Sequence, residues 1–293
     1  MSVYDLDHVI IFVQDLEATE KNFADRLGFQ ITSHADHPGF GTRNAAIAFQ
    51  RGFLELLTKA DEAEMRATRY ARLFLDRHAA RGDNPTIYVF RTPSLEAVIA
   101  GCKARGGLCE DRMIGYSRMH GGPTRKWECA FMPGTEPVFL DPRLPNVGGP
   151  REGPAKTPGT HPNGALRLAG VVVAVRDLRA ALDLYKVQLG LESRTVEDHP
   201  DAHVAWFSLP STGQSIALAE PRGTGNDLAE YVARIGEGIF GIILEVENLA
   251  RAKAELDRRA SGYHQPGWLH GLPVTNSSIA ANTRLVLRQA AAG

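Results

Sequence analysis

Two side chains that can hold a metal ion or transfer a proton lie within apolar runs near the start of the chain. His8 precedes Val9–Val13, and Glu55 lies inside Phe53–Leu57. A glutamate is costly to bury unless it is paired or bound to a metal ion. An imidazole and a carboxylate on neighbouring strands suit Fe(II), Mn(II), Ni(II) or Zn(II), and they also suit acid–base catalysis. We predict that His8 and Glu55 line a functional site; the structural alternative is a histidine satisfied at the start of a strand.

The segment between these two residues offers groups that can bind a substrate. Gly41 permits close approach of a backbone, and Thr42, Arg43 and Asn44 offer hydrogen-bond donors to an anionic or carbonyl oxygen. His37 is a further candidate for substrate contact. Its Asp-His-Pro context returns later in the chain, which also fits a loop histidine with a structural hydrogen bond.

Three further side chains with suitable chemistry follow in the first half of the chain. Tyr88 and His120 are candidate acid–base groups. Trp127 lies in a predicted strand, where it packs in the core or stacks on a substrate. The glycines near residues 121 and 148 lack the spacing of a phosphate-binding loop, so we expect no nucleotide cofactor.

The elements that position these residues follow the order strand, helix and three strands. An apolar run over residues 6–14 predicts the first strand, and Asp15 is suited to cap a helix that ends at Gly28. The pattern then predicts strands at Phe29–Ser33, Ala45–Phe49 and Gly52–Leu57.

A charged amphipathic helix over Asp61–Arg81 leads to a second unit of the same order, which begins at Thr86 and ends at Asp141. The sequence pattern of the first unit then recurs later in the chain without gaps. Val9 corresponds to Val171, and Asp15-Leu16 corresponds to Asp177-Leu178. Such constant register indicates an internal repeat. The sequence therefore predicts an α+β fold of four βαβββ modules, paired into two cupped-sheet domains.

The domain boundaries follow from composition. Residues 1–141 are the predicted N-terminal domain, with modules at 1–60 and 85–141 and the functional site. Residues 142–165 are rich in proline and glycine and poor in large apolar side chains, which predicts a linker. Residues 166–293 are the predicted C-terminal domain.

Charge and cysteine content narrow the range of partners. The 293 residues carry a formal net charge of -1 with mixed signs, so neither nucleic acid nor a membrane is an expected partner. No segment approaches the roughly 20 apolar residues that span a bilayer.

The three cysteines lack CxxC spacing, which favours reduced thiols and a cytoplasmic protein.

Several motifs together resemble the vicinal oxygen chelate superfamily, which includes glyoxalase I, methylmalonyl-CoA epimerase, extradiol dioxygenases and the fosfomycin and bleomycin resistance proteins. They are Asp7-His8-Val9 in the first strand, Asp15-Leu16 after it, and Leu27-Gly28-Phe29 at the end of the helix. The segments His37–Asn44 and Phe53–Leu57 are similar to the glyoxalase-like branch of that superfamily.

The resemblance implies paired modules around one divalent metal, with His8 and Glu55 as ligands. In the second module the corresponding positions fall at Ile87 and near Phe139 or Asp141, which supply no histidine, so the third ligand is open. In the C-terminal domain the metal site is expected to be lost, because its corresponding residues cannot coordinate: Gly170, Ala217, Gly241 and Val286.

The first functional hypothesis is a glyoxalase-like enzyme with lyase or isomerase chemistry on a small oxygenated organic substrate, aromatic compounds included. Either a divalent metal on His8 and Glu55 polarises the substrate, or Glu55 acts as base and His8 as acid. A ring-cleaving dioxygenase is an alternative enzyme. The second hypothesis is a metal-free small-molecule-binding protein of the resistance type. In each case the partner is a small molecule, and a homodimer is compatible with the architecture.

Overall fold

The computed structural model describes residues 4–110, 112–134, 138–140, 158–193, 195–209, 211–262, 268–269, 272–273 and 279–290. Within these residues the α+β fold and the repeated order of strand, helix and strands are confirmed. Asp141 and residues 142–157 of the predicted linker lie outside the described residues.

The first module begins at an apolar strand and continues through a capped helix. The Asp15 carboxylate accepts from the Ala18 amide, which satisfies one of the free donors of the first helical turn. The helix continues as a π-helical turn over Asn22–Arg26. The elements are β1 (Asp5–Phe12), α1 (Leu16–Lys21), β2 (Ser33–His37), β3 (Thr42–Ala48) and β4 (Phe53–Lys59).

The predicted position of the second strand, Phe29–Ser33, is wrong. The strand β2 begins at Ser33, where the predicted strand ends. The Phe29 ring packs against Phe23 and Phe49, so it belongs to the core outside the ladder. Antiparallel pairing with β3 instead runs from Ser33 to His37. This shift moves His37 from a loop onto a strand.

Two helices connect the modules where one helix was predicted. Thr68 has extended backbone angles, so the chain turns between α2 (Glu62–Ala67) and α3 (Arg69–Arg81). The second module then contains β5 (Asn84–Arg91), α4 (Leu95–Ala104), β6 (Met113–Met119), β7 (Thr124–Phe131) and β8 (Val138–Leu140).

The two modules close into one eight-stranded barrel within a single chain. Its strand order is β1-β4-β3-β2-β6-β7-β8-β5, and β5 returns to pair antiparallel with β1. Closure removes the free sheet edges and gives the barrel an interior face and an outer face.

The second half forms a seven-stranded sheet of strand order β10-β11-β12-β9-β13-β15-β14. Its elements are β9 (Ala165–Ala174), α5 (Leu178–Leu189), β10 (Val196–Asp198), β11 (Ala202–Leu209), β12 (Gln214–Pro221), α6 (Asp227–Ile235), β13 (Gly238–Val246), α7 (Leu249–Arg258), β14 (Leu272–Pro273) and β15 (Leu285–Gln289). The strand β9 pairs in parallel with β12, as β1 pairs with β4, so the repeat seen in the sequence is a structural repeat.

The outer face of the barrel packs against the second half in one continuous apolar core. The buried amide of Gln214 hydrogen-bonds both the backbone N–H and the carbonyl of Leu6. The hydroxyls of Tyr88 and Tyr185 lie 2.7 Å apart in the same core. Buried polar contacts of this kind fix the orientation of the two halves.

The end of the predicted linker is packed against the barrel. His161 is buried between the rings of Phe29 and Phe49. Its Nδ1 atom accepts from the Gln30 amide, and its Nε2 atom donates to the Ala48 carbonyl. These residues therefore form part of the core of the protein.

The cysteines Cys102, Cys109 and Cys129 are free thiols, as predicted. Among the described residues, no helix has the length and apolar character needed to cross a bilayer.

Candidate active site

The interior face of the barrel carries both residues from which the sequence analysis began. Along β1, Ile10 and Phe12 belong to the interior apolar cluster, whereas Val9 and Ile11 belong to the outer core. The parallel register places His8 opposite Phe53, and Ile10 opposite Glu55. Side chains alternate between faces along a strand, so His8 and Glu55 share the interior face on neighbouring strands.

His8 is held between two carboxylates. Its Nδ1 atom donates to the Asp7 Oδ2 atom at 2.9 Å, and its Nε2 atom lies 3.4 Å from the Glu55 Oε2 atom. Its ring stacks on Phe53 with centroids 4.3 Å apart. Burial by itself lowers the pKa of His8, but the hydrogen bonds to Asp7 and Glu55 outweigh it and raise the pKa above its ordinary value.

Glu55 is buried and is contacted from two sides. On one side lies His8, and on the other the Asn44 amide nitrogen donates to Oε1. The Nε2 atom of His37 lies 3.8 Å from the same Oε1 atom. Buried carboxylates are found paired or hydrogen-bonded, and these contacts meet that requirement for Glu55.

His37, Thr42 and Asn44 form the wall of the site beside Glu55. The Asn44 amide nitrogen faces His37 Nε2 at 3.4 Å, so Nε2 acts as the acceptor and the Nδ1 proton is donated to the Thr42 hydroxyl at 2.9 Å. The Oδ1 atom of Asn44 is buried and has no hydrogen-bond partner among the described residues. It is therefore free to accept from a bound molecule.

The neighbouring candidates Gly41 and Arg43 lie outside this group. A Cβ atom on Gly41 would meet the Asp61 carbonyl oxygen at 2.2 Å, and its φ is +64°, so the close approach is made by the start of α2. Arg43 is exposed on the outer face opposite Asp36. The structure therefore gives Gly41 a folding role and does not bring Arg43 into the site.

The two predicted acid–base groups Tyr88 and His120 also lie away from the interior face of the barrel. Tyr88 belongs to the outer core and its hydroxyl contacts Tyr185, because β5 directs its neighbours Ile87 and Val89 into the barrel. His120 is exposed in the turn after β6, where its Nε2 atom lies 3.2 Å from Asp36 on the outer face.

Trp127 lies on the interior face of β7. Its ring covers Gly115 on the neighbouring strand and lies 5.1 Å from the Phe40 ring between centroids. A Cβ atom on Gly115 would lie 2.1 Å from the indole, so the glycine is what allows the ring to lie flat on the sheet. Trp127 is therefore placed to contact a molecule inside the barrel.

The sequence analysis missed three groups near this face. In the sequence, Asp7 was named only as part of a motif. Its side chain contacts His8 at the place where the pairing of β1 with β5 shifts register, between Leu6 and His8. Tyr70 on α3 packs edge-on against Phe131, and burial together with the nearby Glu110 raises the pKa of its phenol. Arg125 carries a buried Nε atom that lacks a hydrogen-bond partner among the described residues.

Whether these donors can hold a metal ion depends on the hydrogen bonds that they already make. His8, His37 and Glu55 are of suitable chemistry, but Glu55 Oε1 already accepts from Asn44, and His37 Nε2 faces the same amide. Across the described part of the chain, no three or more His, Cys, Asp or Glu side chains are arranged to hold a metal ion. As arranged, these donors do not fit a metal ion. Metal ligation by His8 and Glu55 stays a prediction.

The second sheet carries no comparable group at the corresponding positions. Ala217 stands where the repeat has Glu55, and it lies in an apolar cluster with Val172 and Val204. Gly170, at the position of His8, packs against the Ser215 carbonyl. The N-terminal barrel is therefore the candidate site of the two.

Comparison with known proteins agrees with this fold. Residues 6–189 match the family model described as Glyoxalase-like domain. The ethylmalonyl-CoA/methylmalonyl-CoA epimerase of Cereibacter sphaeroides is 36% identical over 115 residues, which are 37% of this chain and 84% of the epimerase.

Two solved structures share the fold at low sequence identity. A mutant of 4-hydroxymandelate synthase from Streptomyces coelicolor has a TM-score of 0.65 at 16% identity, with 91% of this chain and 78% of that chain covered. A hypothetical protein from Staphylococcus aureus has a TM-score of 0.67 at 10% identity, with 98% of this chain and 100% of that chain covered.

The chain belongs to the glyoxalase-like domain family, within the vicinal oxygen chelate superfamily. The resemblance read from the first strand, the Asp-Leu cap and the helix end is thereby confirmed. It is a superfamily of enzymes and of binding proteins, so the reaction has to be argued from the site.

Proposed function

We propose that the protein is an isomerase- or lyase-type enzyme that moves a proton on a carbon next to a carbonyl group of a small oxygenated substrate. Glu55 takes the proton as base. The His8 imidazolium, held by Asp7, stabilises the charge that develops on the substrate oxygen and returns a proton. The observation that carries this proposal is the Nε2–Oε2 distance of 3.4 Å between His8 and Glu55 on the buried interior face.

The roles follow from the hydrogen bonds. Asp7 fixes one nitrogen of His8, so the other points towards Glu55 and the interior. The hydrogen bonds to Asp7 and Glu55 raise the pKa of His8 and so favour the protonated ring, which suits an acid or an electrostatic partner. A buried carboxylate beside it suits a base, because little water competes for the proton.

The epimerase relative supports the reaction class. Epimerisation beside a carbonyl begins with removal of one proton from the carbon, which a buried carboxylate beside an imidazolium can perform. The match covers 37% of this chain, so the substrate of the epimerase is not transferred here.

Incubation with candidate carbonyl compounds in excess chelator, followed by metal analysis of the purified protein, tests the proposal against its alternatives. We expect turnover that persists in chelator. Turnover that is lost in chelator and restored by Fe, Mn, Ni or Zn would establish the metal mechanism on His8 and Glu55 instead. A ligand that raises the melting temperature without any turnover would indicate a binding protein.

A further inference from the structure

Arg125 is a half-buried arginine on the interior face of the barrel. Its Nε atom is buried and has no hydrogen-bond partner among the described residues, and the side chain makes no ion pair with them. A buried nitrogen donor without a partner is costly, and a bound ligand that accepts from it would remove this cost.

The strand register gives the direction of this side chain. Phe131 belongs to the interior cluster, and Trp127 covers the interior side of Gly115. Arg125 is separated from each by an even number of residues along β7, whose pairing with β6 shows no shift. It therefore projects to the same face as both rings.

The register also relates Arg125 to Glu55. Strand β2 pairs with β6 through Asp36 and Arg118, and continuation of this register places His37 beside Ser117. Ser117 in turn pairs with Arg125. Neighbouring strands lie about 4.8 Å apart, so Arg125 and His37 are separated by about 10 Å at the backbone. His37 itself contacts Glu55 at 3.8 Å.

We propose that Arg125 binds a carboxylate of the substrate while Trp127 and Phe40 pack against its apolar body. This inference rests on the proposed function, and it names the substrate class: a small carboxylic acid whose reactive carbon reaches Glu55. The planar guanidinium presents two parallel N–H donors that match the two oxygens of a carboxylate. A single guanidinium balances a single negative charge.

Calorimetric titration of the full-length protein with phenylacetate and with its neutral analogue phenylacetamide tests the proposal. We expect the wild type to bind phenylacetate at least about tenfold more tightly than the amide, and the Arg125→Met variant to lose about 10- to 100-fold in phenylacetate affinity and to lose the preference. The Arg118→Met variant is the matched control, because Arg118 is exposed on the neighbouring strand, and it should bind as the wild type does.

Equal affinity for phenylacetate and phenylacetamide in the wild type, or unchanged phenylacetate affinity in Arg125→Met, would overturn the assignment. If Arg125→Met does not fold, Arg125→Lys replaces it: the charge remains but the two-donor geometry is lost, so an intermediate affinity is expected and an unchanged one counts against the proposal. Turnover of the Glu55→Gln variant tests the proposed function separately. Loss of turnover without any carboxylate preference would therefore reject the Arg125 assignment alone.

Discussion

The Nε2 atom of His8 lies 3.4 Å from the Oε2 atom of Glu55 because the parallel strands β1 and β4 place Ile10 opposite Glu55. The contact joins two buried groups whose charges would otherwise be costly inside a barrel. Asp7 and Asn44 extend the contact on either side. These four side chains form one connected row of contacts.

Replacement of Asp7 by Asn tests whether this residue positions His8. Asn cannot carry the charge that stabilises the imidazolium, so we expect kcat to fall about tenfold or more while KM changes little. The expected signature is a histidine resonance that titrates at lower pH than in the wild type, because one of the causes of the raised His8 pKa is removed. An unchanged titration and unchanged kcat would show that Asp7 has no such role; Asp198→Asn on the exposed strand β10 is the control.

The buried pair Tyr88 and Tyr185 predicts a stability effect without a catalytic one. Removal of either hydroxyl in Tyr88→Phe or Tyr185→Phe leaves the other without this partner and should cost about 1 kcal/mol of the free energy of unfolding. The double variant should cost less than the sum of the single ones, as measured by urea unfolding. A large fall in kcat for Tyr88→Phe would contradict its position on the outer face.

His161 predicts a pH-dependent stability. Burial lowers the pKa of His161 below 6.5, and the Ala48 carbonyl only partly opposes this shift. The unfolded chain therefore binds more protons than the folded one below about pH 6.5. The stabilisation is complete above that pH and is lost as the pH falls through 6.5 towards the folded pKa.

Urea unfolding between pH 7.5 and 5.5 measures this effect. The free energy of unfolding of the wild type should fall over this pH range. The fall should be smaller in the His161→Gln variant, and as large as in the wild type in His203→Gln on the more exposed strand β11. Identical pH dependence of the wild type and His161→Gln would contradict the account.

Gly41 and Gly39 provide a matched pair for the turn before β3. Both have positive φ, +64° and +80°, but a Cβ atom on Gly41 would meet Asp61 at 2.2 Å whereas one on Gly39 would meet no atom within 4 Å. Gly39→Ala should cost about 1 kcal/mol of backbone strain, and Gly41→Ala distinctly more, because α2 must also shift. Equal costs in thermal unfolding would show that α2 adapts freely.

Sequence periodicity was sufficient for the module order and the repeat, whereas the pairing of His8 with Glu55 also depended on the resemblance to the vicinal oxygen chelate superfamily. The module order and the repeat follow from local patterns: alternation along β4, the Asp15 cap and the constant register of two copies. His37 was predicted in a loop because the Pro38-Gly39 turn is local, whereas its strand is defined by pairing with Thr42 and Asn44 across a hairpin.

The rest of the site depends on contacts between distant segments. Tyr88 and Arg43 alternate correctly within their strands, but which face becomes the interior is decided by barrel closure and by the second sheet. Arg125 and Tyr70 reach the interior through β7 and α3, far from His8 in sequence. No local pattern distinguishes them from surface residues.

Exchange of the substrate proton with solvent is the most direct test of the central claim. The wild type, incubated in D2O and chelator with carbonyl compounds that it turns over, should exchange the hydrogen next to the carbonyl, as followed by proton NMR. Glu55→Gln should slow this exchange by about 10²- to 10⁴-fold at an unchanged folded fraction, and Glu17→Gln on the exposed side of α1 should not. Exchange at the wild-type rate in Glu55→Gln would contradict the assignment of Glu55 as the base.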